Sequence, residues 1–273
     1  MKLRRICTGA PVVGMVFLSA SAVADIQGSK HDLSTGIPEA NGEVCVFCHT
    51  PHGSDTNASA PLWNKALPST TYTRYSSLGT ANLDGTEVAV GSVSLACLSC
   101  HDGTQAVDVV INKPGTGGYN AAGSELSTAT GSNLSGTPIP NLGSDLRDDH
   151  PISIDYAGGA CRGSLADCDP QTAATGDPDF SPAQYASING QNQWWVDVAS
   201  YATDAAGVNI ESGTADVREK TDMLLYTRDF SGTEGPSVEC ASCHDPHEAT
   251  ARPVSFLRIA NAGSGVCLAC HIK

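Results

Sequence analysis

Four copies of one pentapeptide, Cys-x-x-Cys-His, constrain this chain more than any other feature of its sequence. Two thiols that are one helical turn apart can add to the vinyl groups of one porphyrin from the same side, and the following histidine can then bind the iron. A single copy would also suit a thiol redox or zinc site, but four copies predict four covalently bound haem c groups. Motifs 1 to 4 are Cys45–His49, Cys97–His101, Cys240–His244 and Cys267–His271. The attaching thiols are Cys45, Cys48, Cys97, Cys100, Cys240, Cys243, Cys267 and Cys270.

The number of histidines matches the number of haems. Of eight histidines, four lie in the motifs: His49, His101, His244 and His271. The other four are His31, His52, His150 and His247. We expect all four of these to be distal iron ligands; the alternative is that one or two are exposed and that methionine or water binds that iron. Iron with two imidazoles has no open position for a substrate, so the sequence predicts electron transfer and no catalytic residues.

The N-terminal 24 residues have the pattern of a secretory signal peptide. A positively charged start precedes a short apolar stretch, and Ala22–Ala24 is a small-residue cleavage site. Breaks in the apolar stretch disfavour a membrane anchor, and no later segment is apolar for long enough to span a bilayer. We therefore expect an exported, soluble protein that starts near Asp25, at the cell surface or, alternatively, in the periplasm.

Export also bears on the cysteines outside the motifs. In an oxidising compartment, Cys161 and Cys168 are expected to form a disulfide; a metal-binding pair flanked by Asp167 and Asp169 is the alternative. The net charge of −14 is opposite to the basic charge of a nucleic-acid-binding surface.

Composition leads to a prediction for the fold class. Aromatic residues make up 5% of the chain, which is little for a conventional core. We expect a multihaem cytochrome c fold, mostly irregular coil with a few short helices, wrapped around a row of four haems. The single domain would cover residues 25–273, with a haem pair at 45–101, an insertion at 102–239 and a haem pair at 240–271. Within the insertion, Asp197–Ala206 and Ala215–Leu225 are candidate short helices, and Trp194–Trp195 is expected to pack on a haem or cap the fold.

Two of the non-motif histidines follow a motif histidine by three residues. His52 follows His49, and His247 follows His244. Neither can reach the opposite face of the haem that its neighbour binds, so each is expected to bind the iron of an adjacent haem; the alternative is a hydrogen bond to a propionate. His31 most simply serves the first haem, and His150 one of the others.

Several segments resemble exported cytochromes with doubled Cys-x-x-Cys-His motifs, most closely the OmcE-type tetrahaem cytochromes. The resemblance lies in the motifs and in three further runs, Lys30–Ser34, Ala60–Asn64 and Asp149–Ser153. It implies a subunit of an extracellular filament, with haems in alternately stacked and T-shaped pairs and one iron bound by a histidine of the next subunit. His52 is the favoured bridging residue, reaching the last haem of the next protomer, and His31 is the second choice. Other readings are a monomeric periplasmic electron shuttle to an oxidoreductase, a multihaem reductase with an open haem and, remotely, a zinc-binding structural protein.

Overall fold

The computed structural model describes residues 26–34, 36–37, 40–115, 117–126, 141–198, 217–247 and 256–272. The proposed signal peptide and most of the candidate helix Asp197–Ala206 lie outside these residues. The helices are α1 (Ser92–His101), α2 (Cys240–Cys243) and α3 (Gly265–Cys270), with 3₁₀ turns at Tyr75–Leu78, Tyr156–Gly159 and Ala262–Ser264. The strands are β1 (Val109–Asn112), β2 (Tyr119–Glu125), β3 (Ile154–Asp155), β4 (Gln184–Ile188), β5 (Gln191–Val196), β6 (Met223–Asp229) and β7 (Glu234–Val238).

The prediction of a mostly irregular, haem-wrapped coil is wrong. Within the described residues, seven strands form two antiparallel sheets, one of order β1-β2 and one of order β3-β7-β6-β5-β4. All seven lie within the insertion at 102–239, between motifs 2 and 3. Low aromatic content does not rule out a conventional core, because a few large residues, concentrated on the strands, suffice for a small sheet.

Two tight hairpins build most of the larger sheet. Asn189 and Gly190 connect β4 to β5 with φ of 53° and 74°, and Ser231 and Gly232 connect β6 to β7 with φ of 60° and 91°. Two successive residues with positive φ give the turn whose twist matches that of antiparallel strands. The Asn-Gly pair therefore predicts the first hairpin from the sequence, whereas overall composition gives no sign of it.

The predicted helix at Ala215–Leu225 is also wrong, because its C-terminal part begins strand β6. Met223 and Leu225 are buried, whereas Leu224 between them is only partly buried. This alternation is the period of a strand with one face on a core. Trp194 pairs with Leu225, and Trp195 with Leu224, in the adjacent strand β5.

The core of the sheet supports the C-terminal motifs. Its buried side chains include Trp194, Val196, Met223 and Leu225 on the strands together with Tyr156, Ile259 and Ala269. Two motif thiols, those of Cys243 and Cys270, pack against this cluster. A second cluster, which includes Val46, Phe47, Val110 and Leu126, lies beside motif 1. The strands of the insertion therefore form a platform for motifs at both ends of the chain.

The disulfide prediction is confirmed. Cys161 and Cys168 are joined, and both belong to the buried cluster beneath the larger sheet. The bond excludes the alternative of a metal-binding pair at these cysteines. None of the helices within the described ranges is long and apolar enough to cross a bilayer.

Candidate haem-binding sites

Each motif forms a helical turn that ends at its histidine. The amide of His49 donates to the carbonyl of Cys45 at 2.8 Å, and the amides of His244 and His271 donate in the same way to the first cysteine of their motifs at 3.2 and 2.9 Å. In motif 2 the turn is the last one of α1. A helical turn places residues three apart on one face, so both thiols of a motif face the same side.

The thiols of the motifs are in the reduced state that thioether formation requires. All eight motif cysteines are free of disulfides. Burial raises the pKa of Cys48 to about 12 and that of Cys243 to about 11, so these thiols are protonated at neutral pH. A zinc site would instead need several deprotonated ligands in one cluster. Among the described residues no three His, Cys, Asp or Glu side chains form such a cluster, so the zinc alternative has no structural support.

The segment Pro61–Lys65 holds motif 1 in place. The carbonyl of Pro61 lies 2.7 Å from Nδ1 of His49, which leaves Nε2 of that ring for iron. The Asn64 amide donates to the carbonyl of Val46 at 2.7 Å. Trp63 lies edge-on to His49 at 6.0 Å, and its buried indole N–H has no hydrogen-bond partner among the described residues. An unpaired buried donor beside the ligand histidine fits a haem, whose propionates accept hydrogen bonds.

Lys65 is a fully buried cation next to motifs 1 and 2. Its ammonium donates to the carbonyls of Ala106, Val107 and Val109 at 3.2, 3.2 and 2.6 Å. It also interacts electrostatically with the thiols of Cys48 and Cys100. The sequence does not predict this site, because nothing about a single lysine after a Trp-Asn pair shows that it will be buried.

A buried carboxylate joins motifs 2 and 3. Glu239, immediately before motif 3, accepts hydrogen bonds from Ser94 of α1 at 2.6 Å, from Ser153 at 3.1 Å and from Arg228 of β6 at 2.7 Å. The Ser94 hydroxyl in turn accepts a bond from the amide of Cys240 at 3.0 Å. This network fixes the start of α2 against α1, and nothing in the local sequence marked Glu239 as its centre.

Successive motifs are neighbours in space. Thiols of adjacent motifs interact in chain order: Cys48 with Cys100, Cys97 with Cys240, and Cys243 with Cys267. The second of these pairs is hydrogen-bonded, and this bond together with burial raises the pKa of Cys97. The four motifs therefore follow one another in space from motif 1 to motif 4.

Three non-motif histidines lie opposite motif histidines. The ring centroids of His31 and His101 are 6.1 Å apart, those of His247 and His49 are 6.0 Å apart, and those of His150 and His271 are 6.4 Å apart. The structure thus brings together six of the eight predicted ligands. His244 borders Leu257 through a β-bridge. His52 is exposed, and its ring contacts no other ring of the described residues.

Comparison with known proteins finds a haem-binding motif in the C-terminal part of the chain. The family model described as doubled CXXCH motif matches residues 234–273, the segment that holds motifs 3 and 4. A search of curated proteins gives no match. Together with the motif geometry, the family match supports a multihaem c-type cytochrome, a class of protein that binds haem and transfers electrons.

Proposed function

We propose that this chain is an exported tetrahaem c-type cytochrome that carries electrons along a row of closely spaced haems and is the subunit of an extracellular filament. The observation that carries the proposal is the proximity of motif thiols in chain order: Cys97 and Cys240 are hydrogen-bonded, and the thiols of the other successive motifs lie near enough to interact electrostatically. Motif cysteines that lie near one another would hold their haems close together, and short distances favour electron transfer because its rate falls steeply with distance. When bound, each haem supplies an iron that gains or loses one electron.

The protein would attach each haem, orient its histidine ligands and fill both axial positions of its iron. Helical turns present the thiols, and the carbonyl of Pro61 orients the ring of His49. Distal imidazoles from His31, His52, His150 and His247 would complete six-coordinate irons, so no catalytic site is proposed. Two imidazoles per iron also favour a lower reduction potential than one imidazole and one methionine do.

Haem number and ligation can be measured directly. Intact-protein mass spectrometry of the exported protein should show four haems, and electron paramagnetic resonance should show low-spin ferric iron. The same mass measurement should place the mature start near Asp25. Fewer haems, or a substantial high-spin signal, would contradict the tetrahaem bis-histidine proposal.

His52 is the proposed bridge between subunits. Its side chain is exposed, while its backbone carbonyl is held by Thr50 and by the Asn112 amide at 2.9 and 2.7 Å. His31, the second choice, is instead partly buried and stacked on Phe256 at 4.1 Å. A rigid backbone that projects an exposed imidazole is the arrangement that a ligand for another subunit needs.

A His52→Ala variant tests the bridge. It should keep four haems by mass while failing to polymerise, as seen by electron cryo-microscopy of secreted material. His52→Lys keeps a side chain of similar reach without an imidazole and should fail equally. Filaments that form normally from either variant would exclude His52, and only monodisperse single-chain particles from the native protein would favour the periplasmic shuttle.

A further inference from the structure

We infer that the three imidazole pairs described above are the axial ligand pairs of three haems: His49 with His247, His101 with His31, and His271 with His150. The inference rests on the proposed haem attachment and adds to it which distal histidine serves which iron. It follows from the positions of the rings.

The separation of the rings equals that of two imidazoles on one metal ion. An imidazole nitrogen binds a metal at about 2.0 Å, so two rings on opposite sides of one iron have their centroids roughly 6.4 Å apart, and slightly less when tilted. The three observed separations lie between 6.0 and 6.4 Å. Direct stacking is much closer, as His31 on Phe256 at 4.1 Å shows.

The composition of the pairs is the second argument. Each pair joins one motif histidine to one non-motif histidine, as iron with a proximal and a distal ligand requires. The partners are far apart in sequence, so local chain geometry does not impose the distances. Attraction between free aromatic rings would not select one motif and one non-motif histidine three times.

Hydrogen bonds to Nδ1 orient two of the six rings for binding through Nε2, and a carboxylate lies near Nδ1 of a third ring. Nδ1 of His49 contacts the carbonyl of Pro61 at 2.7 Å, and Nδ1 of His150 contacts the carbonyl of Pro151 at 2.9 Å. Nδ1 of His247 lies 3.5 Å from the carboxylate of Asp245. A partner at the other ring nitrogen is the usual support of a metal-bound histidine.

The assignment changes two expectations about neighbouring haems. His31 serves the haem of motif 2 and not that of motif 1. The two histidines outside the three pairs, His52 and His244, are then the ligands of the remaining iron. A bridging His52 would accordingly reach the haem of motif 3 in the next protomer, instead of its last haem.

Carbon monoxide binding tests the pair His31–His101. Loss of a distal ligand opens one ferrous iron, so His31→Ala should bind one more equivalent of carbon monoxide per chain than the parent protein. The same change in a Cys97→Ala/Cys100→Ala background, which lacks the haem of motif 2, should add none. In a Cys45→Ala/Cys48→Ala background it should again add one equivalent.

A matched control separates loss of a ligand from loss of packing. Phe256→Leu removes the ring stacked on His31 but no ligand, and it should leave carbon monoxide binding unchanged. The pairing would be overturned if His31→Ala bound no additional carbon monoxide. It would also be overturned if His31→Ala still added one equivalent of carbon monoxide in the background that lacks the haem of motif 2.

A second measurement avoids variants that fail to mature. Electron cryo-microscopy of the unaltered holoprotein, at a resolution that shows axial side chains, should find all three pairs, and any other partner for His31, His150 or His247 would overturn the inference. Mass spectrometry distinguishes this failure from failure of the proposed function. Four attached haems with different pairs refute only the pairing, whereas missing haems refute the tetrahaem proposal.

Discussion

At the scale of single residues, Lys65 places a positive charge where water cannot screen it. Its ammonium is held by three backbone carbonyls, and it lies near the thiols of motifs 1 and 2. A fixed positive charge favours the reduced form of a nearby haem, because reduction lowers the charge of the iron. The interaction is strong in a buried site, where the effective dielectric constant is low.

We expect Lys65→Met to lower the reduction potentials of the haems at motifs 1 and 2 by on the order of tens of millivolts. It should also destabilise the fold by roughly 1–3 kcal/mol, because the carbonyls that Lys65 satisfies stay buried. Spectroelectrochemical titration measures the potentials. The exposed Lys30, changed in the same way, is the control, and equal shifts in both variants would contradict a local effect.

Glu239 should make the free energy of unfolding depend on pH, and the direction of its pKa shift fixes the sign of that dependence. Burial raises the pKa of its carboxyl group above the ordinary 4.5, although Ser94, Arg228 and Ser153 favour its charged form. The folded state therefore holds this proton more tightly than the unfolded state does. The stability that protonation contributes is complete below the ordinary pKa, and it is lost as pH rises through the raised value.

Glu239→Gln should remove this component of the pH dependence. The free energy of unfolding of the parent protein, measured by denaturant titration from about pH 4 to pH 7, should fall relative to that of the variant as pH rises. A difference that stays constant, or that grows in favour of the parent with rising pH, would contradict a raised pKa at Glu239.

At the scale of elements, the sheet hairpins depend on residues with positive φ. Gly190 has a φ of 74°, and a Cβ added there would meet no atom within 4 Å. Any cost of a side chain at this position is therefore backbone strain and not a clash. A substitution in the β4–β5 turn therefore tests whether the hairpin requires a residue with positive φ at this position.

Gly190→Ala should destabilise the protein by roughly 1–2 kcal/mol, the cost of a Cβ in the left-handed region. Asn189→Gly, in the same turn with φ of 53°, should cost little because glycine accepts that conformation. Denaturant unfolding monitored by tryptophan fluorescence measures both, since Trp194 and Trp195 lie on β5. A neutral Gly190→Ala variant would show that the turn differs from the one described.

At the scale of the whole molecule, the net negative charge opposes the assembly that we propose. The chain carries −14, and haem propionates add to that negative charge. Subunits of the proposed filament would therefore repel one another unless ions screened their charge. At physiological ionic strength the screening length is about 8 Å, and it is much longer in dilute buffer.

Assembly of purified subunits should therefore increase with salt. Light scattering should report a larger average mass at about 0.15 M than at about 0.01 M ionic strength. His52→Ala serves as the control and should stay small at both concentrations. Assembly of the parent protein that decreases with salt would indicate attraction between opposite charges at the interface.

What could be predicted from the sequence was local chemistry. Motif spacing, the number of histidines and the short separation of Cys161 and Cys168 each depend on a few nearby atoms or on a count, and the disulfide is confirmed. The sheets could not be predicted from composition, because their strands are defined by partners far along the chain. β3, for example, pairs with β7, which follows it by about eighty residues.

The sequence by itself determined that the chain carries four haem-attachment motifs and four further histidines. Only the tertiary structure decided which histidines face each other, and it brought His31 next to His101 and His247 next to His49. It also buried Lys65 and Glu239 between motifs. The physical reason is the distance along the chain over which each feature is determined. The residues that form the thioethers and bind the iron lie within five adjacent positions, so the sequence shows them directly. The positions of distal ligands and buried charges depend instead on how a sheet far away in sequence packs the motifs together.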